Sequence, residues 1–466
     1  MDITFWYGLF HIGSILTLIL TLLLSSKILR SSSMPAVTIG WLLAIIFMPL
    51  IGIPLYLTFG ERKINVKLNN KQKLVLDISG KTNPSVISHP IHSLIVSMNL
   101  PASSLNNESS FDEDGKSAWR SLTKLLQSAE HSIDIAIFIL GTDAVGERVL
   151  SILEKKALNG VKIRLLLDGV GTFSLTKKRF KPLLKKGAKI AWFIPVIHNP
   201  FRGRTNLRNH RKIVIADNKQ VWAGGRNISS HYLEPDCPNK CWVDMSFVQT
   251  GAIVANYLAI FEEDWAYVTY AKKVVTHKLV SLTLTTKNTS ELQLIPSVPD
   301  VKGDPIYAVI LTACYNAKSQ IRITTPYYIP DDNIQKALKL AAIRGITVDL
   351  IIPEKSNHKL ADIARNRALR ELTNAGVNIY LLPQMIHAKV MIIDVSFAMA
   401  GSANFDIRSL FLNCELMSAF YSEHDINWLS QWFASLQKTC KPYQVQHVTV
   451  ATELIEGLAL LGASQL

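Results

Sequence analysis

At 466 residues the chain is long enough for two or three domains with well-formed cores. A formal net charge of +14 points to an anionic partner. The five cysteines, Cys237, Cys241, Cys314, Cys414 and Cys440, are few and odd in number, which excludes a disulfide scaffold and favours free cytosolic thiols. Cys237 and Cys241 are followed by no second pair and no clear histidine partner, so no zinc site is expected.

Residues 3–26 carry no Asp, Glu, Lys or Arg, and residues 31–60 are again charge-free, with an apolar core from Val37 to Phe59. Each run exceeds the roughly 18–20 apolar residues that cross a bilayer, and only Asp2 precedes the first, unlike the basic start of a cleaved signal peptide. The pair predicts a transmembrane hairpin over residues 1–62. His11 falls near the interface. Lys27 and Arg30 lie between the runs, whereas Arg62, Lys63, Lys67, Lys71 and Lys73 follow the second. That asymmetry predicts a multi-pass membrane protein whose bulk faces the cytoplasm.

Residues 63–115 show no sustained period and read as a connector, with a short strand near Ser93 to Met98. Beyond them helix and strand patterns alternate. Helix is predicted over Ala118–Glu130, strand over Ser132–Leu140, helix over Asp143–Leu158, strand over Val161–Asp168, helix over Lys178–Lys186 and strand over Lys189–Pro195. A second course matches it: helix Ile306–Ala317, strand Gln320–Tyr328, helix Asp332–Arg344, strand Ile346–Pro353, helix Asp362–Asn374 and strand Val377–Leu382. This is an internal duplication with a period of about 180 residues, so domains are expected at 116–290 and 291–466. The basic residues crowd between Lys155 and Lys212 with aromatics about as dense as elsewhere in the chain, which fits a solvated helix face or lipid headgroups and no nucleic acid.

Each course ends on the same pattern, His-x-Lys-x4-Asp-x6-Gly-(Ser/Gly)-x-Asn. In the first it is His210, Lys212, Asp217, Gly224, Gly225 and Asn227; in the second, His387, Lys389, Asp394, Gly401, Ser402 and Asn404. Period-two alternation sends each histidine and its lysine the same way, and the residues after each lysine suit a buried strand. An imidazole can be nucleophile or proton carrier near neutral pH. Lysine ammonium, asparagine amide and donors near Gly225 and Ser402 suit an anionic oxygen, above all a phosphate. Two such sets meeting about a pseudo-twofold axis make one composite site. No carboxylate cluster suits Mg²⁺ beyond the two motif aspartates, so neither metal nor cofactor is expected.

This doubled motif is the signature of the phospholipase D superfamily, and within it the chain most resembles the bacterial cardiolipin synthases. Supporting residues are Arg208-Asn209 before the first motif, Phe261-x-x-Asp264-Trp265 after it, Thr325-Pro326-Tyr327-Tyr328-Ile329-Pro330-Asp331, and Arg408-Ser409-Leu410-x-Leu412-Asn413-x-Glu415. The resemblance implies two phospholipase D-like α/β-sandwich domains related by a pseudo-twofold and preceded by the transmembrane hairpin. It further implies phosphatidyl transfer between two phosphatidylglycerols, giving cardiolipin and glycerol through a phosphohistidine. His210 is then the nucleophile and His387 the acid/base, with Lys212, Lys389, Asp217 and Asp394 completing the catalytic set. Asn227, Asn404, Gly225, Ser402, Asp244 and Glu415 line the substrate, with Glu415 expected on His387 and Asp244 on His210. Hydrolysis of a phospholipid is the alternative, and the oligomeric state stays open. One departure falls at residues 133–140, Ile-Asp-Ile-Ala-Ile-Phe-Ile-Leu, where cardiolipin synthases usually carry a Glu and Tyr pair; it bears on the acceptor.

Overall fold

The computed structural model describes residues 3–30, 35–59, 84–194, 207–233, 241–270, 289–298, 303–445 and 448–463. The chain divides into two units, one within residues 1–65 and the other within residues 66–196 and 207–466.

In the first unit, helix α1 (Ile3–Arg30) is the one helix among the described residues long and apolar enough to cross a bilayer. Its Ser14 and Thr17 hydroxyls donate back to the carbonyls of Phe10 and Gly13, so they add no unpaired donor to an apolar surface. The second expected span is not one helix. It divides into α2 (Pro35–Phe47) and α3 (Pro49–Phe59). Pro49 lacks the N–H that would continue the helix, and the break falls at Met48. The chain folds back there: the rings of Trp41 and Tyr56 lie 5.4 Å apart, whereas fifteen residues of straight helix would separate them by about 22 Å. A Cβ on Gly52 would come within 2.3 Å of the Ala44 carbonyl oxygen, so glycine permits the close turn. Ile45, Ile53 and Tyr56 then pack with Leu24 and Ile28 of α1.

The second unit is built on β1 (Ser104–Asp112), β2 (Ser132–Ile137), β3 (Lys162–Asp168), β4 (Lys189–Phe193), β5 (Ile213–Ala216), β6 (Gln220–Gly224) and β7 (Ser246–Gly251). The second half supplies β8 (Ser290–Ser297), β9 (Gln320–Thr324), β10 (Tyr328–Ile329), β11 (Thr347–Pro353), β12 (Asn378–Leu382), β13 (Val390–Ile393), β14 (Phe397–Gly401), β15 (Phe405–Asp406), β16 (Glu415–Phe420) and β17 (Lys441–Pro442). Fifteen of these form one sheet in the order β17-β12-β11-β9-β13-β14-β16-β8-β1-β7-β6-β5-β2-β3-β4, and β10 pairs with β15 alone. Outward from the β8–β1 junction, β16, β14, β13, β9, β11 and β12 repeat β7, β6, β5, β2, β3 and β4 strand for strand. The duplication read from the sequence is therefore a pseudo-twofold within one sheet. Both motifs end at equivalent hairpins, β5–β6 and β13–β14.

Helices Gly115–Ser128 and Ala144–Leu158 cover one face of the first half, and Pro305–Asn316 and Asp332–Ile343 cover the matching face of the second. Asp114, Asp143 and Asp331 cap three of the four, their carboxylates accepting the free N–H groups of the first turns. On the opposite face Ile253–Thr269 and Glu423–Gln437 share one apolar core with strands of both halves, which welds them together.

Residues 84–115 do more than connect. The expected strand at Ser93–Met98 is a helix, Pro90–Ser97, which places Ile91 and Ile95 in the second-half core. Strand β1 sits at the centre of the sheet despite its polar sequence. Asn107 explains how: its amide donates to the carbonyls of Ser104 (2.7 Å) and Ser290 (3.2 Å) and accepts from the Ile253 N–H (2.7 Å). Two predicted helices are also broken. Lys178–Lys186 becomes a 3₁₀ turn (Lys177–Phe180) and a short helix (Lys181–Lys185), and Asp362–Asn374 becomes Lys359–Ala364 and Asn366–Asn374. Pro195, at the end of one predicted strand, lies outside the described residues, as does Cys237.

Candidate active site

Each histidine sits just before the first strand of its hairpin, where the chain leaves one half and is stitched to the other. The His210 N–H donates to the Cys414 carbonyl (2.9 Å), and the Cys414 N–H to the Arg208 carbonyl (2.8 Å). In the equivalent place the Val243 N–H donates to Met385 (2.9 Å) and the His387 N–H to Val243 (2.6 Å). These parallel bridges set Asn209 against Cys414 and Val243 against Ile386. The next residue along each partner is a carboxylate, so each imidazole receives its carboxylate from the opposite half.

His210 Nδ1 lies 2.9 and 3.1 Å from the Glu415 oxygens, and His387 Nδ1 lies 2.7 Å from Asp244 Oδ2. This reverses the expected pairing. It also moves Asp244 and Glu415 out of the substrate-binding group, because both are fully buried beneath the rings and absent from the cavity wall. A carboxylate accepting at Nδ1 fixes the proton there and turns the Nε2 lone pair outward. Both rings face one cavity of about 210 Å³, which Asn227, Asn404, Phe138, Ile139, Tyr232, Trp242, Tyr327, Asn357, His358, Asp406, Arg408 and Asn413 also line.

The lysines lie behind the histidines. Lys212 Nζ donates to the His210 carbonyl at 2.6 Å, 5.5 Å above the Phe138 ring. Lys389 Nζ donates to the His387 carbonyl and stands 2.8 Å from His387 Nδ1. Nδ1 cannot both donate to Asp244 and accept from Lys389; the buried carboxylate has the stronger demand for the proton. Burial is the main influence on all four groups. It pushes His210 down to about 4, with Lys212 acting the same way and Glu415 opposing. It pushes His387 down to about 3, with Lys389 adding to the effect and Asp244 opposing. Lys389 is lowered to about 8, and Lys212 falls well below its ordinary value. Burial would raise Asp244, but Lys389, His387 and Arg226 hold it down to about 2, and Glu415 is likewise held low by His210 and Lys212. In the unliganded cavity, then, neutral imidazoles stand on ionised carboxylates.

The two asparagines differ. Asn227 Oδ1 accepts the Ile139 N–H (3.1 Å), whereas Asn404 donates to Asp406 (2.9 Å) and its Oδ1 is buried with no partner among the described residues. Gly225 and Ser402 sit behind the wall. A Cβ on Gly225 would lie 2.3 Å from Asp244 Oδ1, and the Ser402 hydroxyl donates to Glu415. Asp217 and Asp394, expected in the catalytic set, are placed elsewhere. Each occupies a left-handed turn (φ 53° and 51°) and accepts three backbone N–H groups, from residues 130–132 and 318–320 respectively. They lock each motif hairpin to the start of β2 or β9. Asp264 acts further back, binding Arg211 (2.6 Å) and Asn209 (2.9 Å).

Sequence reasoning missed Tyr232, Trp242, Asn357 and His358. Trp242 stands two residues before Asp244, and its proximity to that carboxylate was the available signal. Both Tyr232 and Trp242 press on the His387 ring, at 5.0 and 5.8 Å. Phe138, from the segment that departs from the family pattern, meets the His210 ring edge-on at 4.8 Å. The described residues contain no group of three or more His, Cys, Asp and Glu disposed to hold a metal ion.

Two fused α/β halves, each contributing one motif to a shared cavity, define a phospholipase D-like protein. A family model described as cardiolipin synthase, PLD-like domain, matches residues 122–265 and 310–437, and one described as phospholipase D-nuclease N-terminal matches 15–61. The cardiolipin synthase of Halalkalibacterium halodurans is 30% identical over 444 residues, covering 91% of this chain and 88% of its own. The cardiolipin synthase of Geobacillus sp. (strain WCH70) is 33% identical over 402 residues, covering 83% and 80%. Phosphatidylserine synthase from Haemophilus influenzae shares the fold at a TM-score of 0.63 and 14% identity, over 81% of this chain and 100% of that one. The chain belongs to the cardiolipin synthase family, and it is a phosphatidyltransferase of the membrane.

Proposed function

We propose that the protein transfers a phosphatidyl group from one phosphatidylglycerol to a hydroxyl of a second, giving cardiolipin and glycerol. The observation that carries this reading is the crossed pairing of His210 with Glu415 and His387 with Asp244, which leaves two Nε2 atoms facing one cavity. In the first step His210 Nε2 attacks phosphorus, the P–O bond to glycerol breaks, and His387 delivers its proton to the departing oxygen. In the second, His387 takes the proton of the incoming hydroxyl, that oxygen attacks phosphorus, and the P–N bond breaks. His387 suits the proton role because the Lys389 ammonium at 2.8 Å withdraws electron density from its ring and makes it the poorer nucleophile. Entry of a phosphodiester anion favours proton uptake by the imidazole and keeps Lys212 and Lys389 charged. Asn227 and Arg408, one from each half, line the cavity and supply donors for the equatorial oxygens. The active species lies in the bacterial inner membrane with its catalytic unit in the cytoplasm.

Purified protein in detergent, given labelled phosphatidylglycerol with and without a chelator, tests the reading by lipid separation. Cardiolipin persisting under chelator supports it. Phosphatidic acid as the main product replaces transfer with hydrolysis.

A further inference from the structure

The C-terminal helix, Val450–Ala463, presents its faces in the reverse of the usual order. The side against the body carries Thr452, Glu456 and Ala459, with the Glu456 carboxylate clamped by Arg370 at 2.6 and 2.8 Å. The opposite side carries Val450, Leu454 and Leu458, which are 74, 66 and 69% exposed, and Ile455, 56% exposed, lies on the flank between the two sides. Positions 450, 454 and 458 step by four and form one stripe, which Ile455 borders. A helix docked on a soluble body ordinarily buries that stripe and wets the other. The neighbouring helix Lys359–Ala364, on which this one packs, also exposes Leu360 and Ile363, and Lys355 and Lys359 are exposed along the same segment.

The position matters as much as the pattern. Ala459 packs with Ile329, Ala361 and Ala364, flanked by Tyr327. Tyr327, Ile329 and Ala361 are at the same time part of the cavity wall that holds the two histidines. The apolar stripe is therefore only a helix thickness, about 10 Å, from the wall of the candidate active site.

We propose that this stripe rests in the surface of an anionic bilayer and holds the cavity at headgroup level, so that a lipid phosphodiester reaches the histidines without leaving its leaflet. The proposal rests on the phospholipid reading above. A lipid surface fits better than a second copy or a peptide. The stripe is purely aliphatic and lacks the Trp, Tyr and Arg anchors of protein interfaces, and the adjacent lysines complement anionic headgroups. In-plane helices bury one apolar face about 5–10 Å into the headgroup boundary, the depth that one row of leucines reaches.

The test uses the full chain reconstituted into phosphatidylglycerol-containing vesicles. A nitroxide is placed at Leu458→Cys and, as a water-facing control, at Lys438→Cys, with the signal of the labelled parent subtracted. The 458 label is expected to collide with membrane-dissolved oxygen and to be shielded from an aqueous nickel chelate, with the reverse at 438. A 458 label open to the chelate, or shielded from both because another protein covers it, overturns the proposal. Independently, the double variant Leu454→Glu with Leu458→Glu should lose roughly tenfold or more of turnover on vesicles while staying within about twofold of the parent on monomeric short-chain phosphatidylglycerol. Equal change on both substrates, or none on vesicles, overturns it. If the parent turns over neither substrate, the phospholipid reading fails, and the label at 458 still decides the docking.

Discussion

Asp244→Asn removes one charge from beneath His387 at almost constant volume. The contact it alters is 2.7 Å long and wholly buried. A hydrogen bond to a charged group in such a place contributes about 1.5–3 kcal/mol, or roughly ten- to a hundredfold in rate. An amide can also turn its NH₂ toward Nδ1 and fix the wrong tautomer, and loss of the carboxylate in that role costs about 10⁴-fold in a Ser-His-Asp triad. The expected fall in kcat is therefore about 10²–10⁴-fold. Single-turnover measurements on two donors locate the defect: phosphatidylglycerol, whose glycerol must be protonated as it leaves, and a p-nitrophenyl phosphodiester, whose leaving group needs no proton. Asp244→Asn should recover most of its deficit on the aryl donor, because it cripples the proton donor. Glu415→Gln, beneath the nucleophile, should stay slow on both. Equal deficits for the two variants on both donors would refute the assignment of each carboxylate to the histidine of the other half.

With His210 near 4 and His387 near 3 in the free enzyme, the nucleophile is unprotonated through neutral pH. Protonation of His210 should accordingly limit kcat/KM only below about pH 5, and because His387 is also neutral in the free enzyme and must take up a proton with the substrate, kcat/KM should already decline as pH rises through neutrality. Lys389 is charged below about 8 and loses its proton above it, so kcat/KM should decline as pH rises through that value. Gly225→Ala would press a Cβ against Asp244 Oδ1, 2.3 Å away, and the displaced carboxylate should lower kcat by about 10²-fold with little change in melting temperature. Asp264→Asn strips the buried Arg211 guanidinium of its carboxylate at 2.6 Å and should destabilise the fold by about 3–5 kcal/mol, read by thermal melting in detergent.

The duplication was legible because matched spacing survives divergence: His210 to Asn227 and His387 to Asn404 keep every interval, and the sheet repeats strand for strand about the β8–β1 junction. Strand β1 was not legible. Its Ser104, Asn107 and Asp112 are buried polar groups satisfied by partners such as Ser290, Ile253, Trp222 and Ser246, far along the chain, so local sequence shows polarity where the fold has a centre. The carboxylates could be nominated but not assigned. Which histidine each one meets depends on parallel bridges between segments more than 140 residues apart, such as Val243 with Ile386, and no local pattern encodes these. The motif aspartates misled for the opposite reason. Their fixed place reflects a turn that must bind three N–H groups, a demand of the backbone and not of the cavity. In the second apolar run composition promised a span, and Pro49 interrupts it.

The central claim, that two imidazoles act in turn on one phosphorus atom, is tested most directly by rapid-quench trapping of enzyme mixed with phosphatidylglycerol labelled in its phosphate. An acid-labile, base-stable label should appear on the peptide bearing His210 before cardiolipin accumulates, and should be absent from His210→Ala. Full cardiolipin turnover by His210→Ala or His387→Ala, or a label on any other side chain, would contradict it.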